Sequence, residues 1–155
     1  MVTTFERSIR IAASVETVWA FHERPDALQL LLPPWERVEL EVPPASLVTG
    51  TRVVARVRVA PLVWLRSEFV HVEYERLKVF ADQQVRGPFK AYLHRHLFEP
   101  DGDGGTRLTD RICYELPAGV LGRALGGGLV RRRLDRMFEF RHRVTRERCE
   151  ASAVS

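Results

Sequence analysis

The run Thr51-Arg52-Val53-Val54-Ala55-Arg56-Val57-Arg58-Val59 repeats with a period of two. Thr51, Val53, Ala55, Val57 and Val59 fall on one side, and Arg52, Arg56 and Arg58 on the other. Successive side chains of a β-strand point to opposite faces, so this strand has one dry face and one wet face. That is the signature of an antiparallel sheet covered on a single side. The same period extends outward in both directions. Upstream of the Gly50 turn, Glu36 to Val42 alternates acids with Val38, Leu40 and Val42. Downstream of Pro61, Val63 to Tyr74 and Leu77 to Val85 read as two more strands. Gly87-Pro88 turns the chain into a strand from Phe89 to Glu99, and the turn cluster Pro100-Asp101-Gly102-Asp103-Gly104-Gly105 leads into the last, Thr106 to Leu116. Short connections between six such segments make a meander.

The flanks have a different period. Val2 to Ala12 reads as a strand that buries Phe5, Ile9 and Ile11. Ser14 stands at a helix N-cap with Glu16 in the first turn, ahead of the apolar side Val15-Val18-Trp19. Arg24-Pro25-Asp26 starts a second short helix, sided by Leu28, Leu31 and Leu32 and stopped by Pro33-Pro34. After Pro117 the spacing predicts one helical turn over 120–125 and a hinge at Gly126-Gly127-Gly128. A long helix follows from Leu129 to about Cys149, with Val130, Leu134, Met137, Phe138 and Val144 on its apolar stripe. Residues 151–155 read as a frayed tail. A sheet with one apolar face must be covered, and the terminal helix is the only element long enough to do it. Any space left beneath it becomes an apolar cavity.

Composition narrows the class. The chain has 155 residues, 45% hydrophobic and 28% charged, which suits one globular domain and excludes collagen-like, disordered and disulfide-scaffold chains. No apolar run reaches the roughly 18 residues of a membrane span, and Met1 to Arg7 lacks the pattern of a signal peptide. Cys113 and Cys149 make no disulfide framework, so the expected compartment is a reducing cytoplasm. The net charge of +4 is local. Between Arg131 and Arg148 there are 8 arginines against Asp135, Glu139 and Glu147, which leaves the rest of the chain slightly acidic. With Glu139 among Arg132, Arg136 and Arg143 and no aromatic platform, no specific nucleic-acid partner is expected. The helix face reads as solvated, with weak contact to an anionic membrane surface as its functional variant. The three glycines precede Leu129-Val130-Arg131, not the Lys-Ser/Thr of a phosphate loop.

Several motifs carry a resemblance. Ile9 to Phe21 resembles the strand-to-helix entry of the helix-grip, START-like (SRPBCC) superfamily. Phe80 to Phe89, His94-Arg95-His96-Leu97-Phe98, Gly105 to Asp110 and Tyr114-Glu115-Leu116-Pro117 are similar to its bacterial polyketide cyclase/dehydrase-like branch. The resemblance covers essentially the whole chain. It implies an α+β helix-grip fold: a curved antiparallel sheet of about seven strands wrapped around a long C-terminal helix, with two short helices after the first strand. Residues 1–150 then form a single START-like ligand-binding domain. One scaffold of this kind hosts carriers, sensors and enzymes, so it does not choose an activity.

The residues themselves supply candidates. His94 and His96 share a strand face with Tyr92 and Phe98. Asp82 and Gln84 share another, as do Asp110 and Tyr114. A buried carboxylate beside a histidine could act as a general acid or base, although a one-residue register slip would put them on opposite faces. Asp110 could equally pair with Arg107 or Arg111. A metal at His94 and His96 would need a third ligand such as Asp82 or Asp110; without a further close-spaced His or Cys, no metal or other cofactor is expected. Trp35, Trp64, Phe69, Phe80 and Phe138 either fill the core or line a cavity. Trp64, Met137 and Phe138 complete the candidate ligand-binding set. The expected function is binding, as carrier or sensor, of a small hydrophobic molecule such as a lipid, isoprenoid or polyketide-like aromatic. The alternatives are a cyclase/dehydratase using a His–carboxylate pair, and a protein-interaction module with a filled core.

Overall fold

The computed structural model describes residues 1–117 and 119–153, with side chains throughout except at 60 and 119–125. Seven strands form one antiparallel sheet: β1 (Thr3–Ile11), β2 (Val38–Val42), β3 (Arg52–Ala60), β4 (Val63–Glu75), β5 (Val79–Arg86), β6 (Ala91–Asp101) and β7 (Gly105–Glu115). Helices α1 (Val15–Glu23) and α2 (Ala27–Leu30) follow β1, and α3 (Gly119–Ala153) closes the chain. The spatial order β1-β7-β6-β5-β4-β3-β2 is a meander whose last strand pairs with the first. This is the helix-grip architecture that the family resemblance implies.

Local chemistry accounts for the boundaries. The Ser14 hydroxyl accepts the backbone N–H of Thr17 at 3.2 Å, which caps α1. At the β6–β7 turn Asp103 and Gly104 both take positive φ, 50° and 75°, a conformation that Asp and Gly tolerate. That turn sets the β6–β7 register, in which His96 lies opposite Asp110 and His94 opposite Ile112. On β3, Val53 and Ala55 are buried while Arg52 and Arg58 are exposed, as the alternation requires.

The concave face carries two apolar clusters. One joins α1 to the sheet through Val18, Trp19, Phe80, Phe98 and Leu108. The other, beneath α3, holds Phe5, Ile112, Tyr114, Leu134 and Phe138. A polar row crosses the strands between them. Along β7 it falls at Asp110, between Leu108 and Ile112; along β6 it falls at His94 and His96, between Tyr92 and Phe98.

Helix α3 differs from the sequence reading at both ends. It begins at Gly119 rather than Leu129 and runs unbroken through Gly126-Gly127-Gly128, and residues 151–153 are helical rather than frayed. Residues 154 and 155 lie outside the described residues. Glycine breaks a helix only when it leaves the right-handed region, and none of these three adopts positive φ. The helix keeps its course because Leu134, Phe138, His142, Thr145 and Cys149, spaced three and four apart, are buried. A Cβ placed on Gly127 or Gly128 meets nothing within 4 Å. Gly127→Ala and Gly128→Ala are therefore each expected to stabilise the fold by about 1 kcal/mol, read as a higher urea midpoint.

Candidate functional site

Beneath α3 the sheet encloses a cavity of about 530 Å³. Its walls are apolar: Val53, Ala55 and Val57 from β3, Leu65 and Phe69 from β4, and Met137 from α3. The core is therefore not filled. Around Asp82, His94 and His96 the lining turns polar, with Gln84, Tyr92 and Arg141 beside them; Glu36 and Arg133, which pair with each other, line the cavity as well.

The histidine–carboxylate cluster is held by Asp110, which is buried behind it. Its Oδ1 accepts from His94 Nε2 at 2.7 Å and stands 2.9 Å from His96 Nδ1, while Oδ2 accepts from His142 Nε2 at 2.6 Å. Three imidazoles thus converge on one carboxylate. Asp82 lies opposite His94 in the β5–β6 register. Its Oδ1 is 3.6 Å from both His94 Nδ1 and His96 Nε2. The other two histidines of the chain are close by. The His22 ring lies 6.1 Å from that of His96. His71 pairs with Asp82 across β4–β5 and lines the cavity. All five histidines in the sequence therefore surround one patch of the concave face.

Their protonation states diverge. Burial alone would depress His96, but the Asp110 charge and the close contact with Asp110, with the Asp82 carboxylate nearby, overcome it and push His96 up to about 9. His94 is lowered, by burial and then by the charge of His96. Burial and the same charge push His22 down to about 4. Burial opposes ionisation of Asp110, yet the charge of His96 and the bonds from His142 and His94 hold it well below the usual carboxylate range. Asp82 is likewise lowered against its burial, by the neighbouring His96 and His94. Burial raises the Tyr92 hydroxyl, so the phenol stays neutral. At neutral pH a cationic imidazole, neutral imidazoles and two carboxylates share the same floor, the pairing that acid–base chemistry requires.

The structure sorts the expected residues. Asp82, Gln84, Tyr92, His94, His96 and Met137 face the cavity. Asp110 sits one layer behind them and pairs with neither Arg107 nor Arg111, whose partners are Asp101 and Glu6. Phe138 and Tyr114 are not cavity walls: Phe138 packs on Phe5 and His94, at 5.5 and 5.2 Å between rings, and Tyr114 packs on Phe89 at 5.7 Å. Trp64 is a correction. The parity that sends Leu65, Ser67 and Phe69 inward turns Trp64 to the convex face, where the Arg56 guanidinium covers it at 5.4 Å. Trp35 also lies outside, half-exposed against Phe140. Residues not picked out from sequence include His22, His71, Arg141 and His142. His142 follows Phe138 by four on the buried stripe of α3, and a polar residue on such a stripe was the available signal.

Residues 2–150 match the family model described as "Polyketide cyclase / dehydrase and lipid transport". A comparison with curated proteins finds no significant match. Among solved structures, the chain is similar to TTHA0849 from Thermus thermophilus, with a TM-score of 0.71 at 22% identity over 97% of this chain and 99% of that one. It is also similar to the di-domain ARO/CYC StfQ from the steffimycin biosynthetic pathway, with a TM-score of 0.73 at 17% identity over 100% of this chain and 53% of that one. Norcoclaurine synthase from Thalictrum flavum gives 0.64 at 14% identity, over 84% and 78%. At these identities the likeness concerns the fold.

Proposed function

The chain belongs to the polyketide cyclase / dehydrase and lipid transport family, and on that premise we propose that it binds a small hydrophobic molecule carrying oxygen at one end. The observation behind this is the form of the cavity, about 530 Å³ with largely apolar walls and a histidine–carboxylate cluster in its lining. Burial of apolar surface at roughly 25 cal/mol per Å² supplies the affinity, and the cluster supplies orientation. Arg141 fits an oxygen-bearing group. It lines the cavity, its Nε donates to the Leu31 carbonyl at 3.2 Å, and among the described residues it has no carboxylate partner. Polyketide-like aromatics, isoprenoids and lipids with an oxygenated end all have this shape.

A second reading rests on a separate observation, the His94–Asp110–His142 chain. A neutral His94 next to a cationic His96 gives a base and an acid on one cavity floor. That arrangement suits enolisation and loss of water from a bound polyketone, the work of a cyclase or dehydratase. Pure carriage of an apolar molecule has no need of it.

One experiment addresses both. Native mass spectrometry of the purified protein should show an adduct of small-molecule mass that is lost on denaturation and recovered in an organic extract. Ala55→Phe, which fills part of the cavity, should weaken binding by about tenfold or more while the melting curve stays cooperative. An Ala55→Phe protein that folds and carries the same adduct would place the ligand elsewhere. When a polyketone probe is added, a carrier returns it unchanged and a dehydratase returns it lighter by one water.

A further inference from the structure

We infer that Asp82, His94 and His96 form a binding site for one divalent transition-metal ion of the zinc class at the floor of the cavity. One ligand atom from each of the three lies within 4.8 Å of the other two. The distances from Asp82 Oδ1 to His94 Nδ1 and His96 Nε2, 3.6 Å each, are too long for hydrogen bonds. They are close to the edge of a tetrahedron whose corners stand about 2.0–2.1 Å from a central zinc, roughly 3.4 Å. Among the described residues the Asp82 carboxylate accepts no hydrogen bond, and these two ring nitrogens have no other partner. Three groups able to bind one ion therefore face a common gap that direct contact does not close.

The layer behind the gap is built for the same task. A histidine that binds a metal usually donates its other ring N–H to a carboxylate, which fixes the tautomer and turns the free lone pair toward the ion. Here one oxygen, Asp110 Oδ1, serves both rings: it stands 2.7 Å from His94 Nε2 and 2.9 Å from His96 Nδ1. With N–H on those atoms, the lone pairs of His94 Nδ1 and His96 Nε2 both point at the gap and at Asp82. His142 holds the other oxygen of Asp110 at 2.6 Å and so fixes the carboxylate from behind. Asp82 and both histidines line the cavity, so the ion has a fourth position open to water or to the oxygen of a bound molecule. Metal and proton compete for the same lone pairs, and the ion enters as the His96 proton leaves to solvent.

Two nitrogens and one carboxylate suit zinc, cobalt, nickel or iron(II) better than calcium or magnesium, which prefer oxygen alone. Metal binding is measured without the organic ligand, because the probe is the metal alone. Chelator-stripped protein titrated with Zn²⁺ against a chromophoric chelator should bind one ion per chain. Asp82→Asn and His96→Gln should each weaken binding by about a hundredfold. Asp110→Asn, which touches only the layer behind, should weaken it by about 10–100-fold. Thermal melts of each variant without metal separate loss of the site from loss of the fold. Co²⁺ in place of Zn²⁺ should show visible bands of low-coordinate cobalt with no thiolate charge-transfer band, and Cys113→Ser/Cys149→Ser should bind as the parent does. Absence of one-to-one binding would overturn the assignment. So would unchanged affinity in folded Asp82→Asn and His96→Gln, or a thiolate band.

Discussion

Replacing Asp110 by alanine is expected to destabilise the protein by about 3–5 kcal/mol, the usual consequence of removing one partner from a buried ion cluster. The side chain is only 4% exposed and is the shared acceptor for His94, His96 and His142. Without it, the raised His96 loses the charge that keeps it protonated, and two buried N–H groups lose their acceptor. Asp82→Asn makes the contrast. That carboxylate faces the cavity, accepts no hydrogen bond among the described residues and stays 3.6 Å from its histidines. Its neutralisation should cost clearly less than the loss of Asp110, which bonds two imidazoles and contacts a third. Urea unfolding of both variants in the presence of a chelator measures the difference. Equal midpoints would mean that Asp110 does not organise the cluster.

Much of this site could be read along single strands and little of it across them. The alternation from Thr51 to Val59 identified the dry face that now lines the cavity, and the i, i+2 spacing put His94 and His96 on one side. Pairing was another matter. Whether Asp82 and Asp110 share that side depends on loop lengths and bulges, such as the register shift between His71 and Glu73 in the β4–β5 pair, and a single slip reverses every side chain. Trp64 shows the cost: as a large aromatic it suits core or cavity wall, whereas its parity on β4 sends it outward under Arg56. The helical partner was hidden for a different reason. His142 follows Phe138 by four on the stripe of a helix legible from Leu129 onward, but the helix alone does not say which residue of the sheet it meets, and Asp110 lies 32 residues away in sequence. His22 and His71 come from elements far apart in the chain, and no local pattern links them to β6.

The clustering of histidines predicts how stability depends on pH. An unfolded His22 takes up a proton near pH 6.5, but in the folded protein burial and the charge of His96 push that event down to about 4. Below pH 6.5 the unfolded chain binds a proton that the folded chain refuses, so stability falls with pH and the loss is complete near pH 4. It amounts to about 3 kcal/mol. His94 and His71, both lowered, act in the same direction. His96 acts in the opposite one. Its folded value of about 9 means that the bound proton stabilises the native state below pH 6.5, and that contribution is lost as pH rises through 9. Stability should therefore peak near pH 6.5 and decline on both sides, which urea midpoints in the presence of a chelator would trace. His22→Phe isolates the acid limb. The ring sits among Phe21, Phe80 and Phe98, at 5.4, 6.0 and 5.1 Å, so phenylalanine suits the space, although the bond from Nδ1–H to the Val18 carbonyl is lost. The variant should be less steep between pH 6.5 and 4.5 and unchanged in slope above 7. An acid limb equally steep in His22→Phe would assign the loss to the other histidines, and a flat parent profile would mean that water reaches these rings in the folded protein.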